Sequence, residues 1–136
     1  MQTSRSGFSL IEIVIAVMIM AIAASLVVPA VFEQLRKSKA KTTRVALHNV
    51  QQAILSYKEE VGSYPQTLDE LINRPTDEKL AKRWDGPYIK QRANDAYGNE
   101  LQYVLNPKGS HPAFDLYSWG GEEGNPEEKW IRVSEE

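Results

Sequence analysis

Gly7-Phe8-Ser9-Leu10-Ile11-Glu12 is the stretch whose reading decides the fold, because an unbroken apolar run grows out of it. Residues 8–28 carry a single charged side chain, Glu12. At ~1.5 Å per residue, a helix of that length matches the ~30 Å hydrocarbon core of a bilayer. A carboxylate inside such a run costs about 2.5–3.5 kcal/mol at a helix centre on insertion scales, so its presence points to a role. Residues 1–7 form a polar leader with one positive charge, at Arg5.

Two readings compete for this segment. One is a Sec signal peptide, with Arg5 as its basic region and Ala21-Ile22-Ala23 as a small-x-small cleavage site. Glu12 argues against it, and so does the continuation of the run through Leu26-Val27-Val28. The other reading rests on resemblance. The Gly7 to Glu12 hexad resembles the processing site of type IV pilin-like proteins. That resemblance implies cleavage between Gly7 and Phe8 by a prepilin peptidase and N-methylation of Phe8. It also implies that Glu12 directs assembly by pairing with the Phe8 amine of a neighbouring subunit. The physics is consistent: a lone carboxylate in lipid tends to protonate, whereas a nearby ammonium favours the ionised form and offsets desolvation.

The 136 residues suffice for one domain plus its anchor. The expected organisation is a leader over 1–7, a transmembrane or filament-core helix over 8–28, and a globular domain over 29–136 that includes the second half of the long helix. Cysteine is absent, so no disulfide can staple this small domain. The net charge of −2 is unevenly spread. Arg36, Lys37, Lys39, Lys41 and Arg44 follow the anchor, while Glu122, Glu123, Glu127, Glu128, Glu135 and Glu136 crowd the tail. The positive-inside rule would keep the basic cluster in the cytoplasm. The pilin-like resemblance implies the reverse, a cytoplasmic leader with the globular domain in the periplasm, and the motif is the more specific signal.

Pro29 predicts a kink, since an interior proline removes one i→i−4 bond. Beyond it, Ala46, Val50, Ala53, Ile54, Tyr57 and Val61 form one apolar stripe at helical spacing, and Gly62 supplies a C-terminal cap. Thr67 with Glu70 reads as a capping box opening a short helix that Pro75 closes, and a second short helix is expected over 76–84. Short strands are expected over 101–105, 113–118 and 130–133, separated by turn-rich segments. The fold class is therefore α+β, with a long N-terminal helix packed on a small antiparallel sheet.

Later landmarks narrow the resemblance. Tyr64-Pro65, Asp85-Gly86-Pro87-Tyr88-Ile89, Asp95-Ala96-Tyr97-Gly98 and Ser118-Trp119-Gly120-Gly121 are similar, in that order, to those of the major pseudopilins of type II secretion. This implies a Ca²⁺ loop through Ser118, Trp119, Glu122, Glu127 and Glu128, although the chain carries glutamates where that family has aspartates and its loop is shorter. Ca²⁺ takes 6–8 oxygens at about 2.3–2.6 Å, a demanding geometry for such a loop. The alternative is a solvated acidic loop.

No HExxH, GxSxG, P-loop or dinucleotide-binding glycine pattern occurs, and His48 and His111 are the only histidines, so no enzyme activity is expected. The basic cluster lacks interleaved aromatics, which disfavours nucleic acid. The resemblance implies a structural subunit of a type II secretion pseudopilus that helps move folded proteins across the outer membrane. The implied partners are further copies of the chain, minor pseudopilins, an inner-membrane assembly platform and the peptidase, at the bacterial inner membrane. A type IV pilin for adhesion, motility or DNA uptake is the alternative within the class. A Sec-exported soluble periplasmic binding domain is the alternative outside it.

Overall fold

The structure, a computed structural model, describes residues 7–133. Arg5 with most of the leader, and Glu135 and Glu136 of the tail, lie outside the described residues. Two compact units partition the chain, Met1–Lys37 and Ser38–Glu136.

A single helix, α1 (Leu10–Val61), contributes to both units and contains Pro29. Helix is assigned without interruption through the proline, because losing one backbone bond leaves the bonds on either side in place. Within the apolar segment the Ser25 hydroxyl donates to the Ile22 carbonyl at 2.7 Å, which satisfies its polar group inside the helix. Every residue of 7–38 is exposed in the isolated chain, with Leu10 at 80% and Leu26 at 75%.

In the second unit α1 behaves as a core helix. Leu47, Val50, Ala53, Ile54, Tyr57 and Val61 are buried and form one cluster with Leu71, Leu101 and Leu116. The predicted stripe thus lies on the core face, with Ala46 half-buried at its margin. Leu47 and Thr43 are buried on the same face, outside the stripe that the spacing predicts. Gly62 ends the helix at φ +92°, its N–H bonding the Lys58 carbonyl at 2.9 Å, in the left-handed conformation that glycine adopts most readily.

A 3₁₀ turn follows at Leu68–Leu71. Thr67 precedes it but makes no side-chain capping bond. The expected capping box is therefore incomplete: Glu70 has been drawn elsewhere. Its carboxylate accepts from the Gln66 N–H at 3.2 Å and from the Tyr57 hydroxyl at 2.7 Å, tying this turn to α1. The second short helix, α2 (Glu78–Arg83), starts later than expected because Asp77 caps it, accepting from the Lys79 and Leu80 N–H groups. Trp84 and Tyr88 then return to the core: the Trp84 indole donates to the Glu70 carbonyl at 2.8 Å and the Tyr88 hydroxyl to Glu60 at 2.6 Å. Burial and that carboxylate push the Tyr88 phenol up to about 12, and burial raises Tyr57 and Tyr103 as well.

The sheet has three antiparallel strands in chain order, β1 (Gln102–Leu105), β2 (Phe114–Ser118) and β3 (Ile131–Arg132). Leu105 faces Phe114 across the first pair, and Ser118 faces Ile131 across the second. All three strands fall where the alternation of apolar residues and turn signals placed them.

Candidate functional site

Gly7, Phe8 and Ser9 precede the first helical turn and are exposed. A Cβ built on Gly7 would meet nothing within 4 Å among the described residues, which place no demand for glycine there. Phe8 is 80% exposed. The Ser9 carbonyl opens the helix by accepting from Glu12 N–H at 3.0 Å and from Ile13 N–H at 3.2 Å. Glu12 thus lies in the first turn, where the unsatisfied N–H groups of a helix favour negative charge. It is exposed, like its apolar neighbours.

The basic residues after the anchor do not form one surface of free cations. Glu33 pairs with Arg36 at 2.8 Å and Lys37 at 3.7 Å, and Lys39 stands 5.3 Å from the centre of the Tyr97 ring. Lys41, Arg44 and His48 are exposed on α1, and His111 is exposed in a bend.

The tail loop, residues 119–130, leaves β2 at Ser118 and re-enters the sheet at β3. Gly120 takes φ +70°, and a Cβ there would stand 2.1 Å from the Lys129 carbonyl oxygen, so glycine lets the two limbs of the loop close. Of the residues implied as Ca²⁺ ligands, Ser118 is wholly buried and Trp119 is half-buried. Glu122 lies exposed in the turn, and Glu127 and Glu128 are exposed in a 3₁₀ turn, Glu127–Lys129. Among the described residues no three His, Cys, Asp or Glu side chains gather as a metal-holding group. Glu127 pairs with Arg132.

The polar centre at the base of the loop is Asp95, buried to 6% exposure. Its Oδ1 accepts from the N–H groups of Tyr97 and Asn99, each at 2.9 Å. Its Oδ2 accepts from the Ser118 hydroxyl at 2.6 Å, and the Ser118 oxygen in turn accepts from Gly120 N–H at 3.0 Å. The adjoining Ala96 N–H donates to the Thr43 hydroxyl of α1 at 3.1 Å. Asp95 therefore binds the 94–100 turn, the end of β2 and the loop into one unit. The sequence marks Asp95-Ala96-Tyr97-Gly98 as a landmark within a turn-rich stretch and assigns Asp95 no partner. The tendency of Asp to accept from N–H groups two residues on was the available signal.

The donor chemistry of the loop does not fit a calcium cage. Asn99 Nδ2 donates to the Gly121 carbonyl, Asn125 Nδ2 to the Trp119 carbonyl at 3.3 Å, and the Trp130 indole to the Asn125 carbonyl at 2.7 Å. The Glu122, Pro126 and Glu127 carbonyls accept from backbone N–H groups within the loop. Each of these carbonyls already spends a lone pair on an N–H group, which leaves fewer free oxygens than a calcium cage presents.

Comparison with known proteins matches both ends of this description. Residues 2–28 match the prokaryotic N-terminal methylation motif, and residues 30–132 match the family "Type II secretion system (T2SS), protein G". The type II secretion system core protein G of Pseudomonas aeruginosa is 38% identical over 127 residues, which cover 88% of this chain and 87% of that protein. The protein of the same name from Escherichia coli is 39% identical over 133 residues, covering 91% of this chain and 88% of its own. That from Aeromonas hydrophila is 38% identical over 133 residues, 91% and 90% of the respective chains. With an exposed apolar helix behind a methylation motif, and a helix-and-sheet domain matched nearly end to end, the chain belongs to the type II secretion system protein G family.

Proposed function

We propose that the chain is a non-enzymatic subunit of a type II secretion pseudopilus, the periplasmic filament that helps drive folded proteins across the outer membrane. The observation that carries this reading is the start of α1, residues 10–28: apolar, exposed along its whole length, and interrupted by one acid, Glu12, in its first turn. Such a surface needs either lipid or like surfaces around it. In the inner membrane it is a single-pass anchor, and in the assembled filament it is the core. The peptidase cuts between Gly7 and Phe8, Phe8 is methylated, and its amine on one subunit pairs with Glu12 of another. Copies of this chain build the shaft, with minor pseudopilins and an inner-membrane assembly platform as partners and the globular domain in the periplasm. The remaining basic residues, Lys41 and Arg44 among them, serve as a charged face between subunits.

Two measurements test this reading. Intact-mass and N-terminal sequencing of protein from the native cell should find methylated Phe8 as the first residue. A start at Ala24 instead would indicate Sec export. Glu12→Ala should insert in the membrane at least as well as wild type, since it removes the insertion cost, yet yield no filaments and no secretion. Filaments at wild-type yield from Glu12→Ala would overturn the assigned pairing.

A further inference from the structure

The loop of residues 119–130 raises a question that filament assembly does not answer: what holds it, in a domain without disulfides? We propose that Asn99, Asn125 and Trp130 form a hydrogen-bond clamp that closes this loop without calcium. Three side-chain N–H groups from different positions each cap a backbone carbonyl of the loop: Asn99 on Gly121, Asn125 on Trp119 and Trp130 on Asn125. The acceptors fix the orientation of both amides, since turning either one over would set oxygen against oxygen.

The clamp is seated on both sides. Trp130 stacks on Tyr117 with ring centres 4.1 Å apart and 7° between planes, and the Arg132 guanidinium lies 5.3 Å from the centre of the Trp130 ring. Asn99 is held because its own backbone N–H donates to Asp95 and its carbonyl accepts from Asp95 N–H at 2.8 Å. Asp95 is the buried carboxylate nearest in role to a metal ligand, but donors occupy both of its oxygens. The exposed glutamates then serve solvation, with Glu127 engaged by Arg132. Neutral N–H donors thus occupy positions where a calcium loop would present free oxygens to the ion.

The test uses the full chain in detergent micelles, melted in EGTA, in millimolar Ca²⁺ and in Mg²⁺ at equal ionic strength. A resident ion at ~100 times its dissociation constant would raise Tm by roughly 10 °C or more. The clamp predicts the same Tm with Ca²⁺ as with Mg²⁺. Terbium excited through Trp119 and Trp130 should likewise give no calcium-displaceable emission. Asn125→Ala should lower Tm by about 4–8 °C in all three buffers and speed amide exchange across the loop. Should that variant fail to fold, Trp130→Phe keeps an aromatic ring beside Tyr117, removes the indole N–H together with its five-membered ring, and reads the same bond through loop exchange. A Ca²⁺-specific rise in Tm, displaceable terbium emission, or variants whose melting and loop exchange match wild type would each overturn the proposal.

Discussion

The two halves of α1 share one helix and obey opposite rules. Before Ser38 its apolar side chains are exposed, Ile15 at 49% and Ile22 at 66%. From Thr43 onward one stripe of its apolar side chains is covered, Leu47 and Ile54 completely, while Val45 off that stripe stays 55% exposed. Over residues 10–28 the helix is apolar on all sides apart from Glu12, which suits lipid or a bundle of like helices, and from Thr43 onward it is apolar on one stripe, which suits a single core. Helix propensity is common to both. The distribution of apolar residues around the helix decides whether it is completed by its own domain or by other molecules.

The largest effect expected from breaking this division is at Gly7. A Cβ there meets no neighbour within 4 Å among the described residues, so for Gly7→Val the thermal melt should be unchanged, while the peptidase should leave the precursor wholly uncut. An immunoblot or mass measurement of the mature chain decides it, and normal maturation of Gly7→Val would count against processing at this junction.

Next in size is the contrast between two isoleucines on one helix. Ile54→Ala removes a fully buried side chain and should cost about 2–5 kcal/mol, lowering Tm by roughly 10 °C or more. Ile15→Ala changes the apolar half and should leave the melt of the monomer in detergent within about 0.5 kcal/mol of wild type. Equal losses from both would erase the distinction between the halves.

The smallest effect concerns pH and belongs to the globular unit alone. The Tyr88 phenol has its folded pKa raised from 10.0 to about 12, so the folded state holds this proton more tightly than the unfolded chain does. Stability from this group is therefore fully present below pH 10 and is lost as the pH climbs towards 12. Thermal melts should be flat from neutrality to about pH 10, the reference tyrosine range, and decline above it. Tyr88→Phe should flatten part of that decline, and an unchanged alkaline slope would remove Tyr88 as its source.

Much of this molecule is legible in its sequence because the signals are local. Hydrophobic content over 8–28, the processing hexad, the stripe from Ala46 to Val61, the stop at Gly62 and the three strands each depend on residues close together in the chain. What only the tertiary structure decided are the partners of polar side chains. Glu70 offered a capping box by spacing, but Tyr57, thirteen positions away, contributed to drawing its carboxylate elsewhere. The Thr43 hydroxyl accepts from Ala96 N–H, 53 positions on, a pairing that no local signal announces. Asp95 and Ser118 meet across 23 positions, and Asn99 reaches Gly121 across 22. A hydrogen bond is short and directional, so which groups pair depends on the last ångström of folding, whereas burial follows a periodicity that the chain carries before it folds.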